Sequence, residues 1–291
     1  MSYLPFVISV ISVNLILVAV IHMQFGLTGI SNFAVAAFYG IGAYTAAIIS
    51  YSSETVLTLQ LPFIVGVVMA GIVGGIIALI FGWIILKRRD MVVFIVTLVS
   101  IGLLQQLAKS QDWLTNGVRG IAPISYPVDQ SVYVLIILAL TAGIAYYIYR
   151  LKRSPYGTLL KGVRDNQLLA QATGKDTFKI KLQVFAIGSA IMSVAGALSI
   201  PLISDVSPSI FDPNQSFMVW TAMIIGGKDK IVGALTGGLI VFGFFRFAFV
   251  YLPIPSFFPD VTVTRFIILG IVLVLTLKFR PEGIFGERFT D

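Results

Sequence analysis

The stretch that decides the fold is LPFIVGVVMAGIVGGIIALIFGWIILKRR, residues 61–89. Between Pro62 and Leu86 no side chain is charged, and Lys87-Arg88-Arg89 follows at once. A hydrocarbon core about 30 Å thick takes about 20 helical residues at about 1.5 Å each. The stretch has that length, carries nothing that lipid would expel, and ends on basic residues of the kind that stay in the cytoplasm. It reads as a membrane-spanning helix with its basic end inside.

The same pattern recurs on both sides. Full or nearly full apolar spans lie at approximately 5–25, 33–51, 62–86, 91–108, 132–149, 182–203, 231–252 and 262–278. The first has no basic residue before it and no small-residue cleavage site after it, so it reads as a retained anchor. A shorter apolar piece, Phe217 to Ile225, is bounded by Pro213 and by Gly226-Gly227, which predicts a broken or re-entrant helix. Composition agrees, since 57% of the 291 residues are hydrophobic, 11% are charged and the mean hydropathy is +0.96. A soluble domain of this length needs far more charged surface. The expectation is one all-α domain over 1–291, a polytopic transmembrane helical bundle.

Basic residues between spans set the orientation. Lys87-Arg88-Arg89, the segment 150–181 with eight basic and two acidic residues, and the tail from Lys278 belong in the cytoplasm. The loops holding Glu54, Asp205 and Asp212 carry no Lys or Arg and belong outside. These placements agree only if the short piece also crosses, so the expected count of eight or nine crossings resolves to nine, with the N-terminus outside. Four crossings precede the helix at 132–149 and four follow the basic loop in the opposite sense, which predicts an inverted repeat with broken helices. Gly40 and Gly42 interrupt the second span, and Gly226 and Gly227 follow the short piece. The polar region from Lys109 to Ser131 is expected outside, partly folded on the membrane surface.

Several function classes drop out. The net charge of +7 sits between spans rather than on a polar face interleaved with aromatics, which excludes a nucleic-acid partner. There is no cysteine, and the single histidine, His22, has no second ligand at metal spacing, so it reads as packing or interfacial. Glu54, Glu282 and Glu287 all lie outside the spans, so an intramembrane hydrolase lacks its paired polar groups. Arg246 falls inside the span 231–252, where arginine costs about 2.5 to 3.5 kcal/mol at the centre. It should face the interior, a cavity or a partner, with Asp205 or Asp212 as candidate counter-charges. Gly71, Gly74 and Gly75, with Gly233, Gly237 and Gly238, are expected to pack helices closely. Gly227-Lys228-Asp229 is not a phosphate-binding loop, because position 222 is Ala222 and no hydroxyl follows the lysine.

The strongest local signal is the segment from Arg150 to Lys181. Ser154 suits a helix N-cap, Pro155 its first position and Gly174 its end, and Leu159, Leu160, Val163, Leu168, Leu169 and Ala172 recur near helical spacing. The segment therefore predicts one amphipathic cytoplasmic helix with Arg164-Asp165-Asn166 in its middle. A helix on anionic lipid and a docking element for another protein both fit.

At this segment the chain resembles a known family. The run Arg153-Ser154-Pro155-Tyr156-Gly157, continuing through Arg164-Asp165-Asn166 and Ala170 to Gly174, is similar to the coupling loop of branched-chain amino acid ABC permeases of the LivH/LivM type. Asn32-Phe33-Ala34 and Phe38-Tyr39-Gly40-Ile41-Gly42-Ala43-Tyr44 resemble that family's second span, and Thr115 to Ile121 its external loop. Ala195-Gly196-Ala197-Leu198 and Arg280 to Gly286 follow in the family's order. The resemblance implies one permease half in a bacterial cytoplasmic (inner) membrane, an importer pathway for amino acids, and an extracellular binding protein that delivers them. It further implies a second permease, copy or homologue, and two ATPase subunits that hold the ATP and magnesium, leaving this chain without a cofactor. Ser154, Pro155, Gly157, Arg164, Asp165, Asn166, Ala170 and Gly174 become candidate ATPase-coupling residues. Asn32, Phe38, Gly40, Gly42, Tyr44, Gly226, Gly227 and Arg246 become candidate pathway or packing residues. One departure is Val35, where the family often has a polar residue. It leaves urea, ribose or a nucleoside as alternative cargo, and an ATP-independent secondary transporter as the rival mechanism.

Overall fold

A computed structural model describes residues 3–51, 59–121, 126–248, 261–280 and 283–285, with the backbone alone at 245–248 and 261–265. The loop holding Glu54, the residues Pro123 and Glu282, and the side chains of Arg246 and Arg265 lie outside the described residues. What is described is helical. Its elements are α1 (Tyr3–Ile21), α2 (Val35–Ser50), α3 (Phe63–Ile85), α4 (Asp90–Ser110), α5 (Asp112–Thr115) and α6 (Gln130–Arg153). Then come α7 (Pro155–Asp165), α8 (Gln167–Ala172), α9 (Thr177–Ile203), α10 (Pro213–Gly226), α11 (Ile231–Gly238) and α12 (Val261–Phe279). Two π-helical stretches, His22–Leu27 and Leu239–Ala248, extend α1 and α11. Among the described residues, five helices are long and apolar enough to cross a membrane, and Val35–Ser50, Ile231–Phe244 and Phe266–Phe279 are shorter apolar helices.

The centre of the bundle is the contact of α2, α3 and α9, and small residues permit it. Gly42 on α2 lies against the Ser193 backbone of α9, and Gly74 on α3 lies against the Ser193 side chain. A Cβ at either position would overlap those atoms. Gly196 on α9 meets the Tyr39 carbonyl in the same way. Ser193 Oγ donates to Phe38 O at 2.9 Å and to Ser189 O at 3.1 Å, so no polar atom of the serine is stranded. Without water in a bilayer core, close backbone approach and satisfied hydroxyls hold helices together. The glycines expected to pack do so, since Gly71 and Gly75 meet Val194 and Ala190, Gly233 and Gly237 lie on α10, and Gly238 meets Leu15.

α10 is 14 residues long, about 21 Å at about 1.5 Å per residue. Asp212 caps its start, accepting from Asn214 N at 2.9 Å, and Pro213 occupies its first position. Its other end is closed from far along the chain. Ile284 N donates to Ile225 O at 2.9 Å and Phe285 N to Gly226 O at 3.2 Å, and Gly283 turns there with φ of +82° against Gly227. These are the last carbonyls of a helix, which need outside donors. Gly226 and Gly233 touch backbone to backbone, so α10 and α11 pack without intervening side chains.

The region from Lys109 to Ile121 folds on the loop between α9 and α10. Ile121 and Val206 exchange both backbone hydrogen bonds, at 2.8 and 3.0 Å, in an isolated antiparallel bridge. Asn116 takes the left-handed conformation and its side chain closes the turn on Gly120 O at 2.8 Å.

Candidate functional site

Two places in the structure hold polar chemistry, one at each end of the bundle. The first is built on the segment after α6. Ser154 caps α7 as expected, its hydroxyl accepting from Gly157 N at 3.1 Å with Pro155 next. Gly157 lies against the carbonyls of Leu151 and Lys152, so it is small because its own chain turns there. Ala170 is buried, and Gly174 ends the segment with φ of +79°.

The expected single helix is two. Asn166 is extended, with φ of −152°, and its side chain accepts from Leu169 N at 2.9 Å to cap α8. Asparagine bonds readily to nearby backbone, which stops one helix and starts another. The apolar stripe is broken at the same point. Leu160 and Val163 are buried, whereas Leu168 and Leu169 are 78% and 63% exposed at the tip of the segment, beside exposed Asp165, Asn166 and Gln167.

Arg164 is not at that tip. Its Nη1 donates to Gly26 O, in the π-helical end of α1, and lies 3.6 Å from Asp229 Oδ1 in the turn between α10 and α11. Its Nε holds Asp165 Oδ1 at 2.9 Å. The stem of Arg164 packs on Gly29, whose φ of +76° suits glycine, and Lys152 Nζ donates to Asp229 O. Lys181 Nζ bonds Gln167 Oε1 at 2.8 Å and lies 3.6 Å from Asp90 Oδ1 at the start of α4. The base of the segment is thus fixed to the end of α1, to the turn between α10 and α11 and to the start of α4.

From this knot a buried polar chain leads inward. Gln24 donates to Phe185 O at 3.1 Å and accepts from Asn32 Nδ2 at 2.9 Å. Asn32 accepts from Ala34 N at 2.9 Å, Phe33 N donates to Thr97 Oγ1 at 3.0 Å, and Ala36 N donates to Ser216 Oγ at 3.0 Å. Backbone N–H groups at the start of α2 are thus met by Asn32 of the preceding loop and by hydroxyls of α4 and α10. Trp220 Nε1 donates to Asn32 O at 2.9 Å while its ring stacks on Phe33 with centroids 4.6 Å apart. His22 is fully buried close by, next to Gly26.

The second place is a cavity of about 300 Å³ at the opposite end, between the first half of α1, the end of α9 and the start of α10. Its lining combines apolar Val10, Val13 and Leu202 with polar Asn14, Asp205, Asp212 and Gln215. Asn14 is buried in α1 and accepts from Gln215 Nε2. Asn14 stood unremarked in the sequence, although an asparagine inside an apolar span is a signal of an interior face. The other residues expected to line a path or to pack are placed by contact with their neighbours. Phe38 is buried 5.8 Å from the Phe185 ring, Gly40 lies on Phe211, Gly42 on Ser193, and Tyr44 stacks on Phe211. Gly226 and Gly227 form the end of α10. The backbone of Arg246 lies in the π-helical stretch after α11, and its proposed pairing with Asp205 or Asp212 falls outside the described residues.

Comparison with known proteins fits a membrane transporter with both features. The chain is 24% identical to the LivM permease of the high-affinity branched-chain amino acid transport system of Salmonella typhimurium, over 96% of this chain and 71% of that one. It is 26% identical to a probable LivM permease of Methanocaldococcus jannaschii, over 54% of this chain and 47% of that one, so it spans about half of that relative's length. It is also 25% identical to the ribose import permease RbsC of Haemophilus influenzae, over 79% of this chain and 72% of that one. No solved structure is significantly similar. Residues 3–277 match the family described as branched-chain amino acid transport system / permease component, and with nearly the whole length so covered, the chain belongs to that family.

Proposed function

We propose that this chain is a permease subunit of an ABC importer, forming half of the pathway for branched-chain amino acids delivered by an extracellular binding protein. A second permease, copy or homologue, forms the other half in a bacterial cytoplasmic membrane. Two ATPase subunits hold ATP and magnesium and dock on the segment 150–181. The observation that carries this reading is the exposed Leu168-Leu169 tip on a base held by Arg164, Lys152 and Lys181. A lipid-bound helix would set its leucines between rows of lysine and arginine. Here the apolar pair is flanked by Asp165, Asn166 and Gln167, a mixed surface suited to a protein partner.

Nine crossings are supported by α10, whose start lines the cavity with Asp205 while the turn after it meets Arg164 at the other end. The inverted repeat is supported by the two polar helix starts that face opposite ends, α2 at Asn32 and α10 at Asp212. A sugar remains the second cargo, on the likeness to a ribose permease. Purification of the tagged chain from its own cells tests the core of the reading. ATPase subunits should come with it, and their absence under conditions that keep the membrane complex intact would sink it.

A further inference from the structure

The cavity at the outer end joins two carboxylates, Asp205 and Asp212, to the amides of Asn14 and Gln215. Asn14 Nδ2 donates to Val10 O at 2.7 Å, and Gln215 Nε2 donates to Asn14 Oδ1. One hydrogen of each amide is thus turned to the protein, and Gln215 Oε1 has no hydrogen-bond partner among the described residues. Asp212 Oδ1 already accepts from Asn214, whereas Asp205 has no bond or ion pair among the described residues. Among the described residues the lining includes two carboxylates and no lysine, arginine or histidine. Val10 and Val13 of α1 and Leu202 of α9 give the same cavity an aliphatic lining. The volume, about 300 Å³, falls at the low end for small-ligand pockets.

From this juxtaposition we propose that the cavity binds the ammonium group of a small aliphatic amine or amino acid, with Asp205, Asp212 and Gln215 as acceptors and the alkyl body on the α1–α9 wall. The proposal rests on the permease reading and deepens it, because it assigns which end of the substrate the outer cavity recognises. An ammonium group has three donors and a positive charge, matching acceptors and carboxylates that lack both. A substrate carboxylate meets repulsion from the same wall and must point to the mouth. The amine is therefore required for binding here and the carboxylate is not. A neutral sugar gains nothing from the two charges.

The chain has no cysteine, so one introduced thiol reports alone. Ser209→Cys places it in the lining. The full chain in liposomes is labelled with a soluble maleimide in the presence of leucine, isopentylamine or 4-methylpentanoate. At about ten times its Kd, isopentylamine should slow labelling about tenfold, and leucine should also protect. The deaminated acid should leave the rate unchanged. Asp205→Asn with Asp212→Asn should abolish protection without changing the unprotected rate, since asparagine still caps α10. Protection by 4-methylpentanoate equal to that by the amine would overturn the proposal. So would amine protection that survives both substitutions, or no protection by any of the three compounds into the high-millimolar range. Failure of the permease reading shows separately, as a chain that binds the amine but brings no ATPase with it.

Discussion

The centre of the bundle and its basic end are fastened by different means. Around Ser193, three helices meet through glycine and serine with no room for a further carbon atom. At the basic end, α7 is joined to α1 and to the turn after α10 by Arg164, and the end of α6 to the same turn by Lys152. A close-packed backbone contact has one arrangement, because any shift creates overlap or a void. A long side chain holding a carbonyl and a carboxylate can exchange one partner for another at the cost of a hydrogen bond or two. The difference assigns rigidity to α2, α3 and α9 and compliance to the elements around Asp229. In a transporter the second region is where an outside force can be received without unmaking the first.

The largest effect should come from attacking the centre. Gly42→Leu forces side-chain atoms into the Ser193 backbone, well beyond the usual overpacking cost of about 1–3 kcal/mol. Folded, monodisperse protein should be lost from detergent extracts. Gly102→Leu on α4, where nothing lies within 4 Å, should leave the yield unchanged. Equal losses from both would erase the contrast.

A smaller effect is expected from the tip of the basic end. Leu168→Asp with Leu169→Asp removes the exposed apolar pair and touches no buried atom. Recovery of ATPase subunits with the tagged chain should fall at least about tenfold, which is about 1.4 kcal/mol of binding, with thermal stability preserved. Undiminished recovery would move the docking surface elsewhere.

Arg164→Ala comes next. It leaves the Gly26 carbonyl and the Asp229 carboxylate without their guanidinium and should cost about 1–2 kcal/mol, read as a lower unfolding midpoint. Arg164 is only partly buried, so the loss stays below that of a fully buried pair. Arg164→Lys should recover part of it. The smallest effect is at the break between α7 and α8. Asn166→Ala should cost about 1 kcal/mol of cap, and Asn166→Asp almost none, by the same measurement.

Much of the fold is legible because a bilayer imposes one rule on every span, and apolar length with flanking basic residues reports it directly. Ser154, Pro155 and Gly174 are equally local signals, since each acts on the backbone beside it. Arg164 is the opposite case. Its partners Gly26 and Asp229 are far away in sequence, so nothing near it distinguishes an exposed docking charge from an internal tie. Leu168 and Leu169 mislead for a related reason. Helical spacing assumes one unbroken helix, and the side chain of Asn166 ends it first. The cavity depends on Asn14, Asp205 and Gln215 arriving from three elements, a meeting that spacing along the chain does not encode.

The closure of α10 by Ile284 and Phe285 has a consequence for biosynthesis. A ribosome delivers α10 to the membrane well before it makes those two residues. Until then the carbonyls of Ile225 and Gly226 lack the donors that later hold them, in a helix already short for the bilayer. α10 therefore reaches its final state only after α11 and α12 have been inserted and the segment beyond them has folded back. This later stretch acts as a latch on a helix made long before it, so quality control has a late, single event to sense. A chain cut short before Gly283 would carry α1 to α12 and still present α10 with its end open.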